Sequence, residues 1–316
     1  MKELNLKKLK LPSRILVIFI CVLFAQIGLL FIFNSGAAPG DNFIEPETGI
    51  LTHPAVVISN ANASGGKYLQ FNGNKYLFND EFNGASNAQP DTSKWVIHDE
   101  KCDAPANYSC PKNANAFQDG NGNLVLRTRR ESSNWLTGGP YSGSWISTFR
   151  YGYGWPATGV KATTPVPFKV EMRALKPNTP GAWPSLWAMN TDRSTSQNIY
   201  ELDISEQRMT YPTSAGCHQH TWLNGSDIQA WDGAATVSNM AINWHLFSAN
   251  VYTDRVEYYV DGISCGTSYG VNGNFGLILN NAIALPGSWG SGNGQPASSD
   301  PGPWDFLVDY VRVTKL

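Results

Sequence analysis

From about residue 76 to its end, the chain consists of short runs that alternate between apolar and polar residues and are separated by turn residues. The runs "FKVEMRAL" (168–175) and "VEYYVDG" (256–262) are typical. Alternation with a period of two places the apolar side chains on one face of a strand. In "YVDGIS", Asp-Gly stands between two such runs, which is a strong hairpin signal. Because no stretch sustains an apolar period of 3.6 residues, we predict an all-β sandwich or jelly roll.

The composition agrees with long loops on a β framework, since charged residues make up only 15% of the chain and there are 30 Gly and 19 Pro. All 11 Trp lie after residue 94. Such clustering fits an aromatic cleft that binds sugars, and it also fits a Trp-rich sandwich core.

The first 38 residues differ from the rest. Five basic residues precede an apolar run from Ile15 to Phe33, and the small residues "NSGAAPG" follow. This order is that of a secretory signal peptide, with cleavage near Ala37 or Ala38. The run is also almost long enough to span a bilayer, so residues 15–33 could instead anchor the protein at the outer face of the cytoplasmic membrane. In both cases we expect the remainder to be exported.

The rest of the chain divides into two parts by composition. Residues 39–75, rich in Pro, Gly, Ser and Asn, are predicted to be a spacer, and residues 76–316 to be the main domain. Beyond residue 14 the chain holds 18 basic and 24 acidic residues, a net charge of −6, with no basic run. This balance argues against nucleic acid as a partner. We expect a monomer that contacts a membrane only through the N-terminal segment, and only if that segment is not cleaved.

Four cysteines lie outside the N-terminal segment, and an even number in an exported protein suggests two disulfides. The four residues allow three pairings. The short loop favours Cys102–Cys110, which leaves Cys217–Cys265.

The stretch "NIYELDISEQ" (198–207) carries three acids on a strand whose other residues are largely apolar. Glu201 and Asp203 share a face by parity, whereas Glu206 does not. One extra residue at Ile204–Ser205, a β-bulge, would bring all three acids to one face. The alternative is that Glu206 lies on the opposite, solvated face.

Three acids on one face of a largely apolar strand are costly for stability, so we assign them a function. Glycosidases use two carboxyl groups, one on either side of the scissile bond. In enzymes that retain the anomeric configuration, these two groups are roughly 5–5.5 Å apart. A third acid between them makes it harder to ionise all three, so one should stay protonated near neutral pH.

Several motifs in order resemble those of glycoside hydrolase family 16. "ELDISE" resembles the bulged E-x-D-x-x-E motif of that family, and "GAWPSLWAMN" (181–190) resembles its G-x-W-P-A-F-W strand. The other matches are "FNDEFNG…PDTSKW" (78–95), "NWHLFSANVYTDRVEYYVDG" (243–262), "FGLILNNAIA" (275–284) and "VDYVRV" (308–313). Together they span about residues 76–316.

The resemblance implies a concanavalin-like β-jelly-roll of two antiparallel sheets with a concave substrate cleft. It also implies a retaining endo-β-glycanase in which Glu201 is the nucleophile, Asp203 the assisting acid and Glu206 the acid/base. We expect a polysaccharide substrate, β-1,3- or β-1,3-1,4-glucan. Two alternatives stay open: a transglycosylase that remodels surface glycans, and a non-catalytic glycan-binding module.

Aromatic and imidazole side chains near the acids are expected to bind the substrate. Trp183 and Trp187 share a face by parity and would stack on sugar rings, or else belong to the core. His220 and Trp222 share a face in "CHQHTW", where His220 best matches a family histidine and would bind a sugar hydroxyl or Glu206; His218 is expected at the surface. Trp289 lies in a Gly/Ser loop and is expected at the rim of the cleft.

The chemistry needs no cofactor. Some family members bind a structural Ca²⁺ away from the acids, and the matching side chains here are Glu81 and Asp309. Their hard oxygens suit Ca²⁺.

Overall fold

The computed structural model describes residues 55–59, 67–71, 76–99, 108–132, 140–150, 157–192 and 198–316. The chain divides into two compact units between Gly73 and Asn74. The first unit contains an antiparallel hairpin of two strands, β1 (Ala55–Ser59) and β2 (Lys67–Phe71). This hairpin lies in the stretch predicted as spacer.

The second unit is almost entirely β-structure and forms two sheets. We call the first one the cleft sheet, and its strands in spatial order begin with β14–β13–β12–β11–β18. Strands β8 and β9 then pair with β18, and β4 pairs with β8. The bounds of these strands are β4 Val96–Ile97, β8 Tyr141–Ser147, β9 Thr164–Pro165, β11 Ala182–Asn190, β12 Ile199–Glu206, β13 Ser214–Leu223, β14 Ser226–Thr236 and β18 Asn274–Ile283.

The second sheet, here called the outer sheet, runs β17–β16–β15–β10–β19, with β3 and β7 beside β19 and β6 beside β7. Its strands are β3 Phe78–Asp80, β6 Ala116–Gln118, β7 Leu124–Arg130, β10 Phe168–Leu175, β15 His245–Val251, β16 Arg255–Val260, β17 Ile263–Tyr269 and β19 Trp304–Lys315. Strand β7 also pairs with β8, and β5 (Cys110–Pro111) pairs with β8 in parallel, so the two sheets join at one edge. Short 3₁₀ turns cover Asn113–Asn115 and Trp289–Ser291.

The predicted two-sheet sandwich is confirmed, and its core lies between the sheets. Apolar side chains of the cleft sheet pack against those of the outer sheet; among them are Leu186, Leu202, Ile204, Leu279, Met172, Phe247, Tyr258 and Phe306. Each large side chain buried in this way contributes about 1.5–3 kcal/mol.

The predicted Asp-Gly hairpin is also confirmed. Asp261 and Gly262 connect β16 to β17, and both have positive φ, 51° and 77°. This backbone is the one that two-residue hairpins with the right-handed twist of their strands require.

No helix in the described part of the chain is long and apolar enough to cross a membrane. The run from Ile15 to Phe33 lies outside the described residues, so the signal peptide and the anchor both stay predictions.

Candidate active site

The predicted bulge is present in β12. On the β11 side, Ser185 pairs with Glu206 and Leu186 with Ser205, but Trp187 pairs with Asp203, so Ile204 has no partner. On the β13 side the register shifts in the same interval. The extra residue restores the parity of Glu206 with Glu201 and Asp203, while Leu202 and Ile204 pack in the core.

All three acids line one cleft of about 360 Å³ on the face of the cleft sheet that points away from the core. Its walls are mostly aromatic and small polar side chains, with contributions from Tyr108, Trp145, Trp183, Trp187, Trp222, Ser144, Ser185 and Asn280. Aromatic side chains can pack against the apolar faces of sugar rings, and a few polar groups then fix the orientation of the ligand.

Two tryptophans hold the two outer acids in place. Trp222 Nε1 donates to Glu201 Oε2 over 2.8 Å, and Trp183 Nε1 donates to Glu206 Oε1 over 3.0 Å. Because an indole N–H is a donor only, each bond requires an oxygen that accepts. The two bonds fix the orientation of both carboxyl groups in the cleft.

The pKa of Asp203, the acid between the two glutamates, is raised. Burial raises the pKa of Asp203 well above its ordinary range, and the neighbouring carboxylates of Glu206 and Glu201 raise it further. Asp203 Oδ2 is buried without a hydrogen-bond partner. An ionised carboxylate there would be costly, so the site favours a protonated Asp203.

The pKa of Glu206 lies close to neutral pH. Burial raises its pKa to about 7, with a further contribution from the charge of Glu201, while His220, Trp183 and Arg208 oppose the rise. A carboxyl group in this range can donate a proton and later accept one.

The histidines of β13 differ from the prediction. His218, expected at the surface, is buried, and its Nε2 lies 3.6 Å from Glu206 Oε2 while its Nδ1 lies 2.7 Å from Asp232. His220 Nε2 lies 3.9 Å from Asp203 and its Nδ1 lies 2.7 Å from Asp227. The register explains the change, because His218 pairs with Asp203 and Gly216 pairs with Glu206.

Burial favours the neutral form of His218. Burial lowers its pKa, although Asp232 opposes this effect. With the Nδ1 proton directed to Asp232, Nε2 is the acceptor nitrogen and faces the carboxyl of Glu206. Gly216 leaves the space for this contact, since a Cβ there would lie 2.6 Å from the carbonyl oxygen of Glu206 and 2.7 Å from His218 Nε2.

Trp183 and Trp187 both face the cleft, as their shared parity predicts. Trp187 Nε1 donates to Asn280 Oδ1 over 2.8 Å, and its ring lies 5.8 Å from that of Trp145. Sequence reasoning missed Trp145, Asn280 and Tyr108. Asn280 lies in the matched motif "FGLILNNAIA" and pairs with Trp145 across β8 and β18, so the motif held a signal for it, whereas nothing in the sequence distinguishes Tyr108.

Trp289, expected at the rim of the cleft, is about half exposed and lines a pocket beside Glu206. Its ring is 5.8 Å from that of Trp183 and 5.3 Å from that of His218. Arg208 lies over it, with the guanidinium carbon 4.3 Å from the ring centre.

A second pocket, of about 300 Å³, adjoins the cleft on the side of Glu206. Trp289, Arg208 and Glu206 line it together with Tyr211, Ser214, Gly216, His218, Asp232, Gly233 and Ala234. Glu206 therefore stands between the cleft and this pocket.

The predicted disulfide between Cys217 and Cys265 is wrong, because both cysteines are free and buried. The Cys217 thiol is instead 3.4 Å from the carbonyl oxygen of Ile204, in the bulge. Cys110 is buried in β5, but Cys102 lies outside the described residues, so the Cys102–Cys110 pair stays a prediction.

The two carboxylates assigned to calcium each pair with an arginine. Glu81 binds Arg312 with two hydrogen bonds of 2.7 and 2.8 Å, and Asp309 lies 2.6 Å from Arg173. No cluster of three or more His, Cys, Asp or Glu suited to a metal occurs among the described residues. These pairs do not favour calcium at this place, and the calcium site stays a prediction.

No family model matches the chain. Over 260 residues it is 28% identical to a keratan-sulfate endo-1,4-beta-galactosidase of Sphingobacterium multivorum. The matched region covers 76% of this chain and 55% of that enzyme. Over 171 residues it is 29% identical to glucan endo-1,3-beta-glucosidase A1 of Niallia circulans, and this region covers 46% of this chain and 24% of that enzyme. The chain thus spans about half the length of the first relative and about a quarter of the second.

Among solved structures, the chain is similar to SCLam, a non-specific endo-beta-1,3(4)-glucanase from family GH16, at 27% identity and a TM-score of 0.60, over 76% of this chain and 90% of that one. The laminarinase catalytic domain of Thermotoga maritima MSB8 shares the fold, with 24% identity and a TM-score of 0.62, over 76% of this chain and 98% of that one. These relatives are glycoside hydrolases. The comparisons confirm the resemblance to glycoside hydrolase family 16 that the motifs indicated.

Proposed function

We propose that the protein is a retaining endo-β-glycanase that hydrolyses a β-linked polysaccharide, β-1,3- or β-1,3-1,4-glucan. One observation carries the proposal: the bulge in β12 brings Glu201, Asp203 and Glu206 to one aromatic cleft, where separate tryptophans hold the two glutamates. The similar enzymes are named for endo-acting cleavage, which supports cleavage inside a chain.

In the first step, Glu206 gives its proton to the glycosidic oxygen while Glu201 attacks the anomeric carbon. The C–O bond to the leaving sugar breaks, and a glycosyl ester forms on Glu201. The raised pKa of Glu206 supports the role of acid, and the hydrogen bond from Trp222 orients the Glu201 carboxylate for attack.

In the second step, the carboxylate of Glu206 takes a proton from water, and the hydroxide replaces Glu201 at the anomeric carbon. Two displacements at one carbon return the original configuration. Asp203, raised in pKa and buried between the glutamates, keeps its proton and donates a hydrogen bond that stabilises the Glu201 carboxylate as it leaves.

The identity of the sugar rests on weaker support. The aromatic walls suit the apolar faces of glucose and of galactose alike. One relative is named for a 1,3-glucan linkage and another for keratan sulfate; the solved structure with the larger shared identity is named for 1,3(4)-glucan, which supports glucan. Export, through either a cleaved signal or an anchor at residues 15–33, is part of the proposal.

A panel assay tests the proposal. Purified protein is incubated with laminarin, lichenan, agarose, carrageenan and keratan sulfate, and new reducing ends are measured against the Glu201→Gln variant. We expect turnover of laminarin or lichenan, with less than a few per cent left in the variant. Turnover of another glycan would correct the substrate, and the absence of all turnover would favour a binding module. Products longer than the starting chain at high acceptor concentration would favour a transglycosylase.

A further inference from the structure

Behind the acidic strand lies a buried lysine that the proposed mechanism does not use. Lys176 directly follows β10 and is 1% exposed. Its ammonium group donates to the carbonyl oxygen of Pro184 over 3.0 Å and to Ser205 Oγ over 2.8 Å. The rings of Phe247 and Phe306 cover it, with centres 4.6 and 4.8 Å from Nζ.

The two acceptors belong to β11 and β12, the two paired strands that position Glu206. Ser185 of β11 pairs with Glu206 of β12, and the neighbouring pair is Leu186 with Ser205. Pro184 precedes Ser185 on β11. Ser205 follows the extra residue Ile204 of the bulge and precedes Glu206. One ammonium group therefore ties β11 to β12 at the position where the bulge turns Glu206 into the cleft.

Stability alone does not explain a lysine here. Burial of an ammonium group costs several kcal/mol even where hydrogen bonds compensate in part, and burial lowers the pKa of Lys176 to about 7. An unbranched apolar side chain of similar length would pack between the two phenyl rings without that cost. The Cys217 thiol also contacts the bulge, at the carbonyl oxygen of Ile204.

We propose that Lys176 is a positioning residue, which fixes the Ile204–Ser205 bulge from the core side and so keeps the carboxyl of Glu206 aligned with the glycosidic oxygen. This inference rests on the proposed function, because it assigns Lys176 a role through the acid Glu206. This role depends on the two hydrogen bonds of the ammonium group and on the register between β11 and β12. Lys176 is buried and does not line the cleft.

The Lys176→Met variant tests this inference, since it keeps the length and the apolar stem but removes the donor. We expect kcat on polysaccharide to fall at least about tenfold, with KM within about twofold of the wild-type value. Ser205→Ala removes one acceptor and should lower kcat by less. Lys94→Met is the matched control, because Lys94 binds the carbonyl of Asn79 away from the cleft and its loss should leave kcat unchanged.

A second measurement separates positioning from general loss of structure. Aryl glycosides with good leaving groups need little help from an acid, whereas those with poor leaving groups need it. If Lys176 positions Glu206, Lys176→Met should slow the first displacement of aryl glycosides that carry poor leaving groups. The loss should be several-fold smaller for aryl glycosides that carry good leaving groups. An equal loss on both, or kcat within about twofold of wild type on polysaccharide, would overturn the inference.

A crystal structure of Lys176→Met gives an answer that does not depend on activity. We expect the bond between Trp183 Nε1 and Glu206 Oε1 to be lost or lengthened; an unchanged bond and an unchanged bulge would refute the role. If the wild-type protein turns over neither polysaccharide nor aryl glycoside, the proposed function fails. That failure is distinct from the case in which both the wild type and Lys176→Met are active.

Discussion

Trp222 donates its indole N–H to Glu201 across 2.8 Å, from β13 to the neighbouring strand β12. The bond fixes one oxygen of the proposed nucleophile. Trp222→Phe keeps an aromatic face for the sugar but removes the donor. A hydrogen bond to a charged group contributes about 1.5–3 kcal/mol, so we expect kcat to fall roughly ten- to a hundredfold.

Steady-state kinetics on the substrate found in the panel measures this effect. Trp231→Phe is the matched control, because Trp231 stacks on Tyr258 outside the cleft, with ring centres 5.1 Å apart, and it should stay within about twofold of wild type. A Trp222→Phe variant with more than half of the wild-type kcat would show that the bond has no part in catalysis.

The raised pKa of Glu206 predicts the alkaline limb of the activity profile. The proposed acid must be protonated when substrate arrives, and its pKa is about 7 because of burial and the nearby charge of Glu201. We expect kcat/KM, which reports the free enzyme, to fall above pH of about 7, by roughly tenfold for each further unit. A profile that stays flat to about pH 9 would contradict this assignment.

The same carboxyl group should make the fold less stable as pH rises. In the unfolded chain Glu206 loses its proton near pH 4.5, and in the fold only near pH 7. Between these values the folded state binds more protons, so the free energy of unfolding falls with rising pH. We expect Glu206→Gln to remove this loss and to be more stable than wild type at pH of about 8, by up to about 3 kcal/mol.

Thermal and urea unfolding at several pH values measure this difference, which should vanish below about pH 4.5. Glu257→Gln is the control, because the hydrogen bond from Arg255 lowers the pKa of Glu257, and its removal should bring no gain at high pH. Equal stabilities of wild type and Glu206→Gln at both ends of the range would refute the prediction.

Arg208 should act on the leaving side of the substrate. It lines the pocket beyond Glu206, and its guanidinium lies against Trp289 and Tyr211, 4.3 and 5.4 Å from their ring centres. We expect Arg208→Ala to lower kcat/KM on polysaccharide by about tenfold. Lysine should not restore it, since an ammonium group does not reproduce the planar stack.

The contrast between two substrates measures this role. An aryl glycoside places no sugar in the pocket beyond Glu206, so its kcat/KM in Arg208→Ala should stay within about twofold of wild type. Equal losses on both substrates would show that Arg208 acts on the acids themselves and not on a sugar.

The acidic strand could be predicted from the sequence because its pattern was internally inconsistent. Two acids shared a face and the third did not, and one extra residue resolved the mismatch; the pairing of Ser185 with Glu206 and of Trp187 with Asp203 confirms it. The Asp-Gly hairpin and the two-sheet sandwich were predictable for the same reason, since period-two patterns and turn residues act locally.

The histidines could not be assigned in this way. Parity places His218 and His220 on one face, but the one that meets Glu206 depends on the register between β12 and β13. That register is set by the turn from 207 to 213 and by Gly216, which pairs with Glu206. Residues far apart in sequence were equally out of reach: the arginines that engage Glu81 and Asp309 come from other parts of the outer sheet.

The central claim is the division of roles between Glu201 and Glu206, and azide tests it most directly. Azide can enter the space left by an alanine and act as the nucleophile. In Glu206→Ala it should replace water in the second displacement and give a β-glycosyl azide. In Glu201→Ala it should attack the substrate from the other face and give an α-glycosyl azide. Proton NMR of the anomeric centre distinguishes the two products; a β-azide from Glu201→Ala together with an α-azide from Glu206→Ala would contradict the account.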